Sequence, residues 1–307
     1  MSDSPAAPVR PPAPSMGRPE YDSPASLSRL LDTEGLAMSK RFGQNFLVNR
    51  GAREKIMATL GAVAGERAWE IGPGIGSMTA MALDAGLSLS AFEIDHGFAR
   101  LLERVFGVEP SFRLVEGDFL DTWRGELEAR GLPDFIFGNL PYNAAAAIIA
   151  ALLESGTLPR RMIFTVQREA ALRMTAKPDS KDYSSFTVLC ASSCKVKLAF
   201  DLGGGSFWPP PRVTSSVVVL EALPRHLVAE DRAGFSRFVR HSFASRRKTL
   251  RNNLKAAGWA EATIDAALDA TACDRAVRAE ALGPERLAAL YEHACQSGPR
   301  ASTIEQS

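Results

Sequence analysis

Between residues 67 and 220, short and largely apolar runs alternate with segments of helical spacing, and that alternation limits the possible folds more than any other feature of the chain. The runs at 67–71, 87–92, 112–115, 135–137, 162–166, 196–200 and 216–220 read as strands. Their near-continuous apolar character requires cover on both faces. Helices are expected at 53–60, 77–85, 96–106 and 144–154, the last with Asn143 as its cap. Phe186, Leu189, Cys190 and Ser193 also fall at helical spacing. Such alternation builds an α/β, Rossmann-like, doubly wound sheet that is mostly parallel. After Pro224 the pattern changes, and 227–293 reads as helical throughout, broken at Gly258 and Gly283. A small all-helical C-terminal domain is therefore expected to follow the sheet.

Composition bears on the ends and the compartment. Seven of the first 24 residues are proline, with Ser, Ala and Gly between them, so 1–26 is expected to be a disordered tail. The sheet domain then spans 27–223, the helical domain 224–297, and a polar tail 298–307. The N-terminal tail lacks the apolar core of a secretory signal, and Asp3, Glu20 and Asp22 argue against a mitochondrial transit peptide. No apolar run approaches the roughly 18 residues of a membrane span. Cys190, Cys194, Cys273 and Cys295 form no metal or disulfide pattern and read as reduced thiols in a cytoplasmic protein. His96, His226, His241 and His293 show no metal spacing, so no metal is expected.

The first strand runs into Glu70-Ile71-Gly72-Pro73-Gly74-Ile75-Gly76 and then a helix. Glycines at that junction let backbone approach a ligand at the carboxyl end of a sheet. A dinucleotide fingerprint wants glycine or alanine where Ser77 stands. Gly-x-Gly-x-Gly suits S-adenosylmethionine, which carries no pyrophosphate. The second strand ends in Glu93-Ile94-Asp95, where either carboxylate can accept from both ribose hydroxyls. Glu93, nearer the strand, is the better placed, and Asp95 also suits a helix N-cap. The third strand ends in Glu116-Gly117-Asp118, whose aspartate can accept from an adenine amino group or simply mark a turn.

The fourth strand ends in Asn139-Leu140-Pro141-Tyr142. A nucleobase amine is a poor nucleophile because its lone pair is delocalised into the ring. An asparagine oxygen and an adjacent carbonyl can accept its two N–H bonds, orienting the nitrogen and favouring pyramidal geometry. Proline stiffens the loop and brings no competing donor. Tyrosine offers a flat face for an unstacked base.

With these motifs in hand, the chain resembles the KsgA-type rRNA adenine N6,N6-dimethyltransferase family over roughly residues 27–293. The resemblance rests on Lys40-Arg41-Phe42-Gly43-Gln44-Asn45-Phe46-Leu47, the glycine loop, Glu93, Gly117-Asp118 and the Asn139–Tyr142 tetrapeptide. It continues through Gln167-Arg168-Glu169, Phe207-Trp208-Pro209-Pro210-Pro211-Arg212-Val213 and Arg246-Arg247-Lys248-Thr249-Leu250-Arg251. It implies dimethylation of two adjacent adenosines near the 3′ end of small-subunit (16S-type) rRNA, with S-adenosylmethionine as methyl donor, on a pre-30S particle. By the same resemblance, Gln44, Asn45 and Leu47 close over the methionine end of the donor, and Gly72 and Gly74 lie beneath it. Glu93 holds ribose, Asp118 the adenine, and Asn139 both borders the donor and holds the target amine, while Tyr142 and Phe207 sandwich the target base. Two departures stand out. The family's hydroxyl residues and proline after the tyrosine are replaced by Ala144, Ala145, Ala146 and Ala147, and Ser184 stands where a glycine usually follows Tyr183. Competing readings are a non-catalytic assembly factor or nucleic-acid-binding protein, and a DNA adenine methyltransferase.

The net charge of +1 hides segregation, since residues 232–255 hold eight Lys or Arg and no acid. Runs of like charge repel unless a partner neutralises them, and phosphate is the natural partner. Lys40, Arg41, Arg246, Arg247, Lys248 and Arg251 are therefore expected to meet RNA. Arg160, Arg161, Arg168 and Arg173 are candidates to extend that surface from the sheet domain. Nothing marks an oligomer interface, so a monomer is expected.

Overall fold

The computed structural model describes residues 15–38, 44–156, 158–228 and 230–297. Its centre is a seven-stranded sheet. The strands are β2 (Arg67–Ile71), β3 (Ser88–Glu93), β4 (Phe112–Glu116), β5 (Phe135–Asn139), β6 (Arg161–Gln167), β7 (Cys194–Leu202) and β9 (Ser215–Ala222). Their order across the sheet is β4-β3-β2-β5-β6-β9-β7. β2 to β6 pair in parallel, and β9 runs antiparallel between β6 and β7. A separate antiparallel pair joins β1 (Phe46–Leu47) to β8 (Phe207–Trp208). The chain leaves β2 toward β3 and β4, then returns to lay β5 on its other side. The crevice at the carboxyl ends of β2 and β5 is the topological switch point, where such sheets bind ligands.

Helices cover both faces. On one lie α1 (Pro24–Glu34), α2 (Arg50–Leu60), α3 (Ser77–Asp84) and α4 (His96–Phe106), around Leu27, Ile56, Phe98 and Phe137. On the other lie α5 (Phe119–Arg130), α6 (Ala145–Ser155), α7 (Arg168–Met174) and α8 (Ser185–Ser193), around Trp69, Phe119, Leu152 and Phe164. A third apolar cluster, built on Phe235, Phe238, Leu250, Leu268 and Tyr291, joins α9 (Arg232–Ser242), α10 (Leu250–Ala256), α11 (Glu261–Ala270) and α12 (Pro284–Ser297). Tyr183 and Val188 belong to that cluster too, so α8 serves both parts.

Several expectations need correction. Order does not begin at residue 27. Ser23 caps α1 by accepting from the Ser26 N–H, Pro24 fits the first turn, and Leu27, Leu30 and Leu31 are buried. Upstream, the Met16 N–H donates to the Arg104 carbonyl at 2.8 Å, and Arg18 pairs with Asp84 and Glu109. Asp22 pairs with Arg53, which is 2% exposed and lies beneath the Tyr21 ring. The ion pairs to distant segments and the leucine stripe outweigh the proline content. Residues 1–14 and 298–307 lie outside the described residues. α5 carries no clear sign in the sequence, because Gly117-Asp118 reads as a turn, whereas Asp118 caps a helix by accepting from Leu120 at 2.9 Å. Asn143 is not the cap of α6. That position is Ala144, with no side-chain cap bond, and the Pro141 carbonyl accepts from the Ala144 and Ala145 N–H groups at 3.0 and 2.9 Å. Residues 227–293 are less continuously helical than expected, because besides the breaks at Gly258 and Gly283 the chain also leaves helix at 243–249 and 271–278. The β1–β8 pair is likewise hidden in the sequence, since neither run is long enough to signal a strand.

Gly138 shapes the crevice. A Cβ there would sit 2.3 Å from the Ile71 carbonyl oxygen, a backbone atom that cannot step aside. Gly138→Ala is expected to lower unfolding free energy by about 3 kcal/mol through overpacking, as read from urea unfolding.

Candidate active site

Four loops converge on the switch point. Gly72, Gly74 and Gly76 all have positive φ, at 69, 57 and 82°. At Gly74 a Cβ would also approach the Phe46 ring to 2.8 Å, so glycine is needed for conformation and for space. The Gly72 N–H donates to the Phe92 carbonyl and the Gly117 N–H to the Glu93 carbonyl, both at 2.9 Å, which stitches the loops together.

Glu93 is 4% exposed. Its carboxylate accepts from the Gly74 and Asp95 N–H groups, each at 2.9 Å. Burial outweighs those two bonds and pushes its carboxyl up to about 7. Asp95 is the N-cap of α4, accepting from Gly97 and Phe98, and also accepts from Gln44 at 3.3 Å. The capping role thus falls to Asp95, leaving Glu93 at the strand end. Asp118 commits one oxygen to the α5 cap. Glu70, given no role from sequence, is 3% exposed and accepts from Thr79 at 2.6 Å. Burial, aided by the charge of Glu93, pushes it up to about 8. Its position inside the glycine motif was the available signal.

The asparagine is anchored. Its Nδ2 donates to the Asn45 carbonyl at 2.7 Å, joining residues 94 apart and leaving Oδ1 as the acceptor. The Leu140 N–H donates to the Thr165 carbonyl, and the Tyr142 hydroxyl pairs with the Ser215 Oγ at 2.6 Å. Ser215 is fully buried, so the half-buried tyrosine ring has a fixed pivot. No sequence signal linked these two residues. The missing hydroxyls after Tyr142 are offset by the Pro141 carbonyl, which braces the loop through backbone bonds.

Phe207 departs from expectation. It is 3% exposed, opposite Leu47 in the β1–β8 pair, and forms part of the apolar cluster holding Phe46. Its ring supports β1 rather than presenting an open face. Leu47 is buried too, and its carbonyl accepts from the Ser77 hydroxyl at 3.3 Å. Phe46, Leu47, Glu70, Gly72, Met78 and Asn139 line a narrow cavity of about 20 Å³. The donor set nevertheless suits a nucleoside with a charged amino-acid tail. Glu93 can take hydroxyls, Glu70 lies near the glycine loop for an ammonium group, and Phe46 and Met78 supply apolar walls.

The basic surface is smaller than its sequence suggested. Lys40 and Arg41 lie outside the described residues. Arg251 is held by Asp265 and Glu261, both at 2.7 Å, and Lys255 by Glu261. The acids of α11 pack against α10 and neutralise it, which a linear charge count does not reveal. Arg246 donates to the Ser180 and Lys181 carbonyls. Arg160, Arg161, Arg168 and Arg173 pair with Glu66, Glu221, Asp201 and Glu169. Arg247 and Lys248 stay exposed, with no carboxylate partner among the described residues. No group of three or more His, Cys, Asp or Glu is placed to hold a metal ion, and no helix is long and apolar enough to cross a membrane, among the described residues. Cys190 and Cys194 are buried and their thiols are raised by that burial, as inert core residues are.

The family model described as ribosomal RNA adenine dimethylase matches residues 35–292. A Treponema denticola protein named ribosomal RNA small subunit methyltransferase A is 42% identical over 280 residues, covering 89% of this chain and 93% of the relative. A protein of the same name from Treponema pallidum is 42% identical over 236 residues, covering 77% and 82%. Among solved structures, a dimethyladenosine transferase from Plasmodium falciparum superposes with a TM-score of 0.65 at 21% identity, covering 79% of this chain and 94% of that one. The 23S rRNA methyltransferase ErmE superposes at 0.58 and 22% identity, covering 81% and 99%. At those identities the two structures speak to the fold.

Proposed function

This chain belongs to the ribosomal RNA adenine dimethylase family, and from that membership we propose how its residues divide the work. The activity is S-adenosylmethionine-dependent dimethylation of adenine in small-subunit rRNA. We assign the target to two adjacent adenosines near the 3′ end, methylated at N6 on an immature small subunit, by a cytoplasmic monomer. The observation that carries the site assignment is the anchored amide of Asn139 at the switch point, beside a buried carboxylate and a pivoted tyrosine.

When bound, S-adenosylmethionine supplies a methyl group on a positively charged sulfur. Glu93 accepts the ribose hydroxyls, Asp118 the adenine amino group, and Gly72 and Gly74 form the floor. Gln44, Asn45 and Leu47 close the methionine end. Asn139 Oδ1 and the Leu140 carbonyl accept the two N–H bonds of the target amine and hold its lone pair in line. The ring of Tyr142 stacks on the unpaired base, with Pro141 stiffening the turn and Phe207 backing β1. The proton released by the amine passes to water. The transferase domain takes in the segment from Met16 that packs on it and runs to residue 223, and 224–297 is the RNA-binding part.

Transfer of labelled methyl groups to immature small subunits, followed by mapping of the modified bases, tests this reading. Modification confined to adenines outside the 3′ region overturns the target assignment. Within the RNA surface, replacing Arg247 and Lys248 together by alanine is expected to reduce the salt slope of subunit binding by about 2, one for each phosphate no longer neutralised. Arg251→Ala is expected to leave that slope unchanged and to lower the melting temperature, because its charge is already taken up by α11.

A further inference from the structure

α6 starts at the catalytic loop and ends against the helical domain. At its start, the Pro141 carbonyl binds the Ala144 and Ala145 N–H groups, so the third residue of the tetrapeptide is hydrogen-bonded to the helix. The helix runs eleven residues, about 16 Å at 1.5 Å per residue, with Ile148, Ile149, Leu152 and Leu153 buried along its length. At its end, Glu154 Oε1 accepts from the Ser236 hydroxyl at 2.5 Å and from Arg240 at 2.8 Å. Ser236 is 1% exposed. One turn earlier on α9, the Arg232 guanidinium fills the space beside Gly156, where an added Cβ would meet its Nη1 at 0.9 Å. Gly156 closes α6 with φ 73°. Arg232, Ser236 and Arg240 recur every four residues, so one stripe of α9 grips the last turn of α6. A cation at a helix C-terminus also suits the helix dipole. The same α9 leads directly into the turn that displays Arg247 and Lys248.

We propose that α6 is a strut that holds the catalytic loop at a fixed offset from the RNA-docking face of the helical domain, with Glu154 as its positioning residue. The inference rests on the functional reading above. It supplies what a base-modifying enzyme needs, namely a catalytic loop held in register with the surface on which its RNA docks. Glu154 touches neither donor nor base. It acts by fixing where α6 ends, and the Pro141 carbonyl, in the same tetrapeptide as Asn139, fixes where α6 begins.

The test compares single-turnover methyl transfer on immature small subunits with binding. Glu154→Ala is expected to lower the transfer rate about tenfold. Its KM for subunits and its affinity for S-adenosylmethionine should stay near wild type. Glu154→Gln keeps an acceptor for Ser236 and should fall between. The charge exchange Glu154→Arg with Arg240→Glu should restore most of the rate lost in either single variant. An unchanged rate in Glu154→Ala, a loss confined to KM, or an exchange that restores nothing would overturn the proposal. If Glu154→Ala does not fold, the exchange pair decides alone. Wild-type protein that transfers no methyl to immature subunits would instead sink the functional reading and leave the strut out of account.

Discussion

Asn139→Ala is expected to reduce methyl transfer to immature small subunits by at least about a thousandfold, with S-adenosylmethionine affinity nearly unchanged. The amide has two ends with separate jobs. Its nitrogen is committed to the Asn45 carbonyl at 2.7 Å, which fixes the rotamer before any RNA arrives. Its oxygen is thereby pre-set as an acceptor for the target amine. A group held before the reaction needs no reorganisation during it, and that is the source of the expected size. Single-turnover transfer with labelled donor measures the rate, and calorimetry measures the affinity. Wild-type turnover in the variant would remove Asn139 from the chemistry.

Glu93→Ala is expected to act on the other term, weakening S-adenosylmethionine binding about a hundredfold through the loss of charge-assisted hydrogen bonds. The wild-type protein should also show a pH dependence of distinct sign. Burial holds the Glu93 carboxyl up to about 7, well above the ordinary carboxylate range. In that window the folded protein retains a proton that the unfolded chain has released. The group's contribution to stability is therefore full below the ordinary range and is lost as pH rises through about 7. Ribose hydroxyls donate to the charged form, so donor affinity should instead rise through the same interval. Calorimetric titrations about one unit on either side of that value test this. An affinity that falls or stays level across that range would show that Glu93 does not receive the ribose. Glu93→Gln, which cannot titrate, should remove the part of the rise centred near 7 and leave only what Glu70 contributes nearer 8.

Much of the site could be read from the chain because it consists of strand ends. An apolar run that stops at Glu93 or Asn139 announces which residue faces the crevice, and the glycine loop marks the turn that approaches a ligand. What escaped depends on contacts between distant segments. Ser215 anchors Tyr142 from 73 residues away, and Asn45 holds Asn139 from 94. Glu70 lies inside the glycine motif, but its burial against Thr79 follows from helix α3 packing on the sheet. Phe207 was legible as an aromatic beside prolines, whereas its burial follows from pairing with Leu47. The basic run misled because charge was counted along the chain. Glu261 and Asp265 fall outside the run by sequence and across from Arg251 in space. The alanines after Tyr142 offer the loop no side-chain hydroxyl, and the backbone bonds from Ala144 and Ala145 to the Pro141 carbonyl are of a kind no side-chain pattern can report.

The guanidinium of Arg53 is nearly sealed from solvent, and the carboxylate that answers it belongs to Asp22, upstream of the point where composition would start the fold. Anyone shortening this chain for crystals or spectroscopy would be tempted to cut after the prolines, near residue 27. That cut discards both the counter-charge and the Tyr21 ring that covers the guanidinium, with the Ser77 carbonyl as its remaining protein acceptor among the described residues. Helix α2 would then present an unpaired arginine on a face built to be covered. The practical boundary of the molecule is thus electrostatic, and it falls inside the stretch that its proline content marks as dispensable.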